Sequence, residues 1–166
     1  MPSPETFSIS PIRDFVRKYL ADSAISIDPF ARNTRWATFT NDLSPDTEAK
    51  YHLDAEVFLA HMHEEGVVAD LGLFDPPYSA RQVSEVYQSV GREVGMVGTQ
   101  CGALYKRVRN ALDPLISPGG VVLSFGWDST GMGINRGYQI EEILLVAHGG
   151  AHYDTICVAE RKKTPA

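Results

Sequence analysis

Asp75-Pro76-Pro77-Tyr78, directly after the apolar residues 71–74, places a carboxylate, two stiff imino acids and an aromatic ring in four consecutive positions. Each proline lacks an N–H and has a fixed φ, so the pair neither extends a helix nor occupies a central strand. The sequence therefore predicts a buried strand that ends at Phe74 and a stiff, extended loop that begins at Asp75. The loop offers one carboxylate, backbone carbonyls with no neighbouring donor, and one aromatic face. Such a set suits a flat ring bearing an exocyclic amine. If Asp75 and the Pro76 carbonyl accept the two N–H bonds, the nitrogen can pyramidalise and free a lone pair otherwise delocalised into the ring. Tyr78 can stack on such a ring, a contact worth roughly 1–3 kcal/mol.

Other candidate residues fall at predicted strand ends. Asp28-Pro29-Phe30, Asn41-Asp42 and Ser124-Phe125-Gly126-Trp127 each follow an apolar segment. Asp42 has two readings, a turn residue or a ligand for hydroxyls. Asp54 reads as a helix cap with room for a second role. Trp127 either lines a target pocket or covers the sheet end. His61 and His63 are two apart and point to different sides of a helix. His148, His152 and Asp154 share a glycine-rich loop without an accompanying cysteine or carboxylate cluster, so no metal site is expected. Lys106, Arg107 and Arg109, with Arg161, Lys162 and Lys163, read as solvated surface and are the only candidates for phosphate contacts. Gly131, Gly133 and Gly137 with Arg136 read as a surface loop, alternatively one that closes over a target.

These residues must be held by a framework, and the hydrophobic pattern outlines one. Ser10 as an N-cap followed by Pro11 opens a helix with the apolar stripe Ile12, Phe15, Val16, Tyr19 and Leu20. Strands are expected over 24–27, 36–40, around 51–53, 70–74 and 121–125, with late strands over 141–147 and 155–159 forming a hairpin. Helices are expected over 55–62, closed by Gly66, and over 80–90 and 99–112. Residues 117–120 read as a turn. The alternation predicts an α/β fold. It is expected to be a Rossmann-like, doubly wound, mostly parallel sheet with a C-terminal antiparallel hairpin. Residues 1–22 form an N-terminal helical segment ahead of an α/β domain over 23–163, a single domain overall. Too few residues separate Phe30 from the strand at Trp36 for a crossover helix, which needs roughly a dozen in all. The first crossover is therefore shortened, or the first two strands are not parallel neighbours.

Composition limits the function classes. The chain of 166 residues is 43% hydrophobic and 22% charged, as an ordinary soluble domain is. A net charge of −6 offers nucleic acid no global attraction, so any contact is local or supplied by a partner. Cys101 and Cys157 are far apart, as expected for a reduced, cytoplasmic setting. No membrane-spanning segment or signal peptide is expected.

The ordered motifs Asp28-Pro29-Phe30, Asn41-Asp42, Asp75-Pro76-Pro77-Tyr78 and Pro118-Gly119-Gly120-Val121 resemble the S-adenosylmethionine-dependent amino-methyltransferases, specifically the adenine-N6 DNA methyltransferases. The likeness covers residues 24–160. It is closest to small phage-type members, which carry similar Ser124-Phe125-Gly126-Trp127 and Ala147-His148-Gly149-Gly150 stretches. It implies methyl transfer from S-adenosylmethionine to the N6 amine of adenine in DNA, with the base rotated out of the duplex. Asp75, Pro76, Pro77 and Tyr78 would be catalytic, and Ser124, Phe125, Gly126 and Trp127 would line the target pocket. Asp28, Pro29 and Phe30 would hold the methionine moiety, Asn41-Asp42 the ribose, and Asp54 the cofactor's adenine amine. The family's glycine-rich turn is replaced here by Ala31-Arg32-Asn33. A homodimer, a partner subunit or very relaxed sequence specificity would compensate for a missing recognition domain. Alternatives are a degenerate binding or decoy protein, and a methyltransferase for RNA or free nucleotides.

Overall fold

The computed structural model describes residues 5–78, 80–89, 91, 101–150 and 153–164. In chain order come α1 (Ser10–Ala21), β1 (Ser26–Asp28), β2 (Phe39–Thr40), α2 (Ala55–Glu64) and β3 (Ala69–Phe74). There follow α3 (Ala80–Ser89), α4 (Cys101–Leu112), β4 (Ile116–Gly126), β5 (Tyr138–Val146) and β6 (Thr155–Lys162). The strands form one six-stranded sheet in the order β2-β1-β3-β4-β6-β5. The first four are parallel, and β6 runs antiparallel between β4 and β5. This is the expected doubly wound sheet with a C-terminal antiparallel hairpin. Among the described residues no helix is long and apolar enough to cross a membrane.

The central strand β3 is buried on both faces, and its alternating side chains join separate cores. Leu71 and Leu73 pack with Ile12, Phe15 and Val16 of α1 and with Leu123 and Phe125 of β4. Phe74 packs on the opposite face with Phe58 and Leu59 of α2 and with Leu104 and Val108 of α4. Each such side chain contributes about 1.5–3 kcal/mol on full burial. Gly72 lets that second layer approach closely, because a Cβ there would lie 3.1 Å from Ile116 and 3.3 Å from Val122.

Several local expectations are corrected. Ser10 is not the cap of α1. The turn Thr6–Ser8 runs straight into the helix, Ile9 takes the N-cap position without a side-chain bond, and the Ser10 hydroxyl accepts a bond from Arg13 at 2.9 Å. The first strand lies at Ser26–Asp28, because the Asp70 carboxylate takes the N–H groups of Ala24 and Ile25 at 2.9 and 3.1 Å in place of ladder partners. The strand expected over 36–40 pairs only at Phe39–Thr40, and the one around 51–53 is reduced to a single parallel bridge, Asn41 with Tyr51. Residues 117–120 are not a turn between elements. They bulge within β4 opposite Asp70, since the register passes from Ala69–Ile116 directly to Leu71–Val121, and Gly119 takes φ +81° there. The late strands run longer than expected, at Tyr138–Val146 and Thr155–Lys162. In the second half of the chain, Val90, Thr99 and Gln100 of the expected helices lie outside the described residues. By contrast, Asp54 caps α2 as expected, accepting the Glu56 N–H at 3.0 Å, and Gly66 follows the helix at φ +70°.

The first crossover is indeed shortened, with β1 and β2 remaining parallel neighbours. Strands this brief need only about 10 Å of return path at roughly 3.3 Å per residue, so residues 29–38 make the journey without a helix. Asn41 stands in for the missing scaffold. Fully buried, it donates to the carbonyls of Pro29 and Leu53 at 3.1 and 3.0 Å and accepts the Leu53 N–H at 3.0 Å. Asn41→Ala strands those groups and is expected to lower stability by about 2–4 kcal/mol in a urea titration. A loss under about 1 kcal/mol would contradict this account of the loop.

Candidate functional site

The chain continues outward from β1 in one direction, to β2, and from β3 in the other, to β4. Loops diverge at such a switch point and leave a crevice outside the carboxyl ends of the strands. Asp28 ends β1 and Asp75 directly follows β3, so both acids stand at the switch point.

The loop after β3 is held from both sides. Tyr78 donates its hydroxyl to Asp75 Oδ1, and Thr6 adds a second side-chain hydrogen bond to that carboxyl. On the other face, Tyr105 of α4 donates to the Pro77 carbonyl at 2.6 Å. The Tyr78 ring is buried with Phe7, Leu73 and Phe125, and it meets Trp127 at a centroid distance of 5.8 Å. Trp127 in turn meets Tyr153 at 4.8 Å and is 41% exposed. Among these three rings, those of Trp127 and Tyr153 face solvent, whereas the ring expected to stack, Tyr78, is already packed.

A cleft of about 430 Å³, much of it open to solvent, lies beside this loop. Phe74, Pro76, Tyr105, Arg109, Ser124 and Trp127 contribute to its walls, with Phe125 and Gly126 adjoining. The four residues Ser124-Phe125-Gly126-Trp127 are thus brought together with Pro76 and Tyr78. The loop beyond them is pinned: the buried Glu160 carboxylate accepts the N–H of Met132 and that of Gly133, the latter at 3.0 Å. Arg136 clamps the same loop to Asn110 and to the Met132 carbonyl. Gly131 is required there, since a Cβ would fall 1.9 Å from the Glu160 carboxylate.

The acids expected to serve a cofactor are used in different ways. Asp28 is 1% exposed and accepts the Phe30 N–H at 2.9 Å. Burial pushes its carboxyl well above the ordinary range, and the charges of Asp75 and Asp42 push it further. Asp75 is likewise raised by burial, against the bonds from Thr6 and Tyr78 and the charge of Arg32. The same burial, with the Asp75 charge, lifts the Cys157 thiol to about 12. Asp42 accepts the Arg32 and Ser44 N–H groups, one on each oxygen. Asp54 caps α2 with one oxygen and accepts the Tyr87 hydroxyl at 2.5 Å on the other. Asp42 and Asp75 are therefore near enough to Asp28 for their charges to raise it, whereas Asp54 is engaged with helices.

The remaining candidates are also placed. Among the described residues no group of three or more His, Cys, Asp or Glu side chains is arranged to hold a metal. His148 bonds Thr155 at 2.7 Å, and His152 lies outside the described residues. Arg107 pairs with Glu56 at 2.7 Å, Arg161 with Glu141 and Lys162 with Asp113 at 3.0 Å. Arg109, grouped in the sequence with surface cations, is half-buried at the cleft. Its spacing from Tyr105 and Leu112, at i−4 and i+3, is the sequence signal for an inward position. Thr6 and Glu160 carried no such signal.

The Asp28 shift has a measurable consequence. In the unfolded chain its carboxyl titrates near pH 3.9. Above that value the folded protein keeps a proton the unfolded chain has lost. The associated stability is complete below about pH 3.9 and is lost as pH rises through the higher folded value. Asp28→Asn retains an oxygen for Phe30 while fixing the neutral form. Its melting temperature is expected to exceed that of the parent at pH 8, with the gap closing towards pH 4. A gap that does not change with pH would show that Asp28 is not held neutral by the fold.

No family model matches the chain, and no curated protein matches its sequence. Solved structures do match its fold. TrmN from Thermus thermophilus superposes with a TM-score of 0.57 at 16% identity, covering 92% of this chain and 48% of that one. NSun6 from Pyrococcus horikoshii, solved with SFG, gives 0.56 at 17% identity over 89% and 50%. The N-methyltransferase NodS from Bradyrhizobium japonicum, in complex with S-adenosyl-l-homocysteine, gives 0.55 at 9% identity over 96% and 89%. The chain spans about half the length of the first two. Its six-stranded sheet thus has a Rossmann-like fold, as the N-methyltransferase NodS does.

Proposed function

We propose that the chain transfers a methyl group from S-adenosylmethionine to the N6 amine of adenine in DNA. The observation that carries this reading is the position of Asp75-Pro76-Pro77-Tyr78: it leaves the central strand at the switch point of a methyltransferase-type sheet, beside an aromatic cleft. The acids at the carboxyl ends of β1 to β3 fit the cofactor, which brings a sulfonium and an ammonium. Asp28 is a buried carboxyl whose pKa its surroundings raise, and a cation beside it would oppose that rise. Asp28, Pro29 and Phe30 would hold the amino-acid end, and Asp42 retains lone pairs for ribose hydroxyls beyond its two backbone bonds. Asn41 serves by fixing the Pro29 and Leu53 segments, and Asp54 is the candidate for the adenine amine. When bound, the cofactor supplies an electrophilic methyl group.

The protein's own residues do the rest by positioning and electrostatics. Asp75 and the Pro76 carbonyl accept the N–H bonds of the target amine, which exposes its lone pair. Asp75 then takes the proton that the methylated amine gives up, a role favoured by its raised pKa. Thr6 and Tyr78 keep the carboxyl aligned. Trp127 and Pro76 bound the target ring. Arg107, Arg161 and Lys162 are already paired, so phosphate contacts on DNA would draw on other residues, a second copy or a partner subunit. The same pairing favours a second reading, transfer to a free nucleotide.

Labelled S-adenosylmethionine incubated with unmethylated DNA, RNA and deoxyadenosine monophosphate distinguishes these readings. Labelled N6-methyladenine in DNA is the expected product, and no transfer to any of the three would refute methyl transfer to adenine. Asp75→Ala is expected to reduce transfer by about 10²-fold or more. Calorimetry should give the same cofactor affinity in this variant as in the parent. A parent protein that binds no cofactor would instead be a degenerate, binding-only form.

A further inference from the structure

The cleft holds a cation that the proposed chemistry leaves unused. Arg109 extends from α4 with its guanidinium 5.2 Å from the Phe74 ring centroid and 5.8 Å from that of Tyr105. Among the described residues it forms no ion pair, and its Nε is buried without a hydrogen-bond partner. Ser124, on β4, is 6% exposed, and its hydroxyl oxygen is also buried and unpartnered. Both residues line the same cleft. Buried polar atoms are almost always hydrogen-bonded, so two orphans in one cleft mark the outline of a ligand group.

The chemistry of that group follows from the pair. A guanidinium is always charged and presents its donors in a planar fork that matches an oxyanion. Stacking on two rings has already restricted this one, so little freedom remains to be lost on binding. The nearby acids do not neutralise it by contact. Asp128 directs its carboxylate to the Thr130 N–H at 2.8 Å, and Glu160 is committed to Met132 and Gly133. Asp128 lines the same cleft, and its charge acts on Arg109 without an ion-pair contact among the described residues.

We infer that Arg109 and Ser124 form a phosphate subsite for a nucleotide whose base lies towards Trp127 and Pro76. The inference rests on the proposed function only for the identity of the base. It makes phosphate part of what is recognised, so nucleotides and nucleic acids bind in preference to nucleosides or to amines of proteins.

Titration calorimetry with deoxyadenosine monophosphate, deoxyadenosine and inorganic phosphate tests this. The monophosphate is expected to bind at least about tenfold more tightly than the nucleoside, with inorganic phosphate competing. Arg109→Gln should remove that preference and leave nucleoside affinity unchanged, Arg109→Lys should restore part of it, and Ser124→Ala should weaken it. Because Arg109 has no polar partner among the described residues, Arg109→Gln should melt within a few degrees of the parent. Should it fail to fold, the parent's preference and the Ser124→Ala result still decide. Equal affinity for nucleoside and monophosphate, or a preference that survives Arg109→Gln, would overturn the subsite. Methyl transfer with no phosphate preference would sink this inference alone. A phosphate preference without methyl transfer would sink only the proposed function.

Discussion

The structure turns on the way β3 ends. The strand is buried on both faces, and its last ladder partner is Phe74 opposite Ser124. Beyond it stand a carboxylate and two residues that cannot donate to a ladder, so the sheet must release the chain there. β4 meets no such stop and continues to Gly126, paired on its other side with β6. The mismatch in length opens the cleft: one wall is the Pro-Pro loop, the other the overhanging end of β4. Ser124 sits at the last paired position on the α4 side, which explains why its hydroxyl has no neighbour to bond.

On the opposite face a different shortage is met by a different segment. Residues 29–38 contain no helix, which leaves Leu71, Leu73, Leu123 and Phe125 to be covered by something else. The chain from Thr6 to Ala21 does so. Phe7 packs at 5.0 Å from Phe125 and stacks at 5.8 Å on Trp36, which Arg17 covers in turn. The same segment brings Thr6 to Asp75. A residue far away in sequence thus becomes part of the site because a core had to be sealed.

How legible this was depended on whether the deciding information was local. The strand before Asp75, the cap at Asp54 and the stripe of α1 follow from residue type and spacing within a few positions, and they stand as expected. The bulge at 117–120 reads locally as a turn, because Pro118 and Gly119 favour one. Only pairing with β3 and β6 keeps the segment in the sheet. Asn41 falls at a predicted strand end, yet burial between two loops makes it a staple. Arg109 was hidden by its neighbours Lys106 and Arg107: one helical face holds the solvated charges, and the other carries this one inward. Tertiary placement decided each of these.

That placement gives the strand end two electrical characters. Successive residues of a strand point to opposite faces, so Phe74 sits beneath Arg109 while Asp75 faces the α1 layer with Thr6, Tyr78 and Cys157. One side gathers Asp28, Asp42 and Asp75, acids near enough to raise Asp28. The other holds a guanidinium with no ion pair. Apolar groups separate the two, and in that low-dielectric setting a charge is worth more than in water. The Arg32 charge acts on Asp75 from one side, and the Asp128 charge acts on Arg109 from the other. A cationic cofactor and an anionic nucleotide would complete the two halves from opposite faces of one strand, with Asp75 on the first side and Pro76 at the cleft.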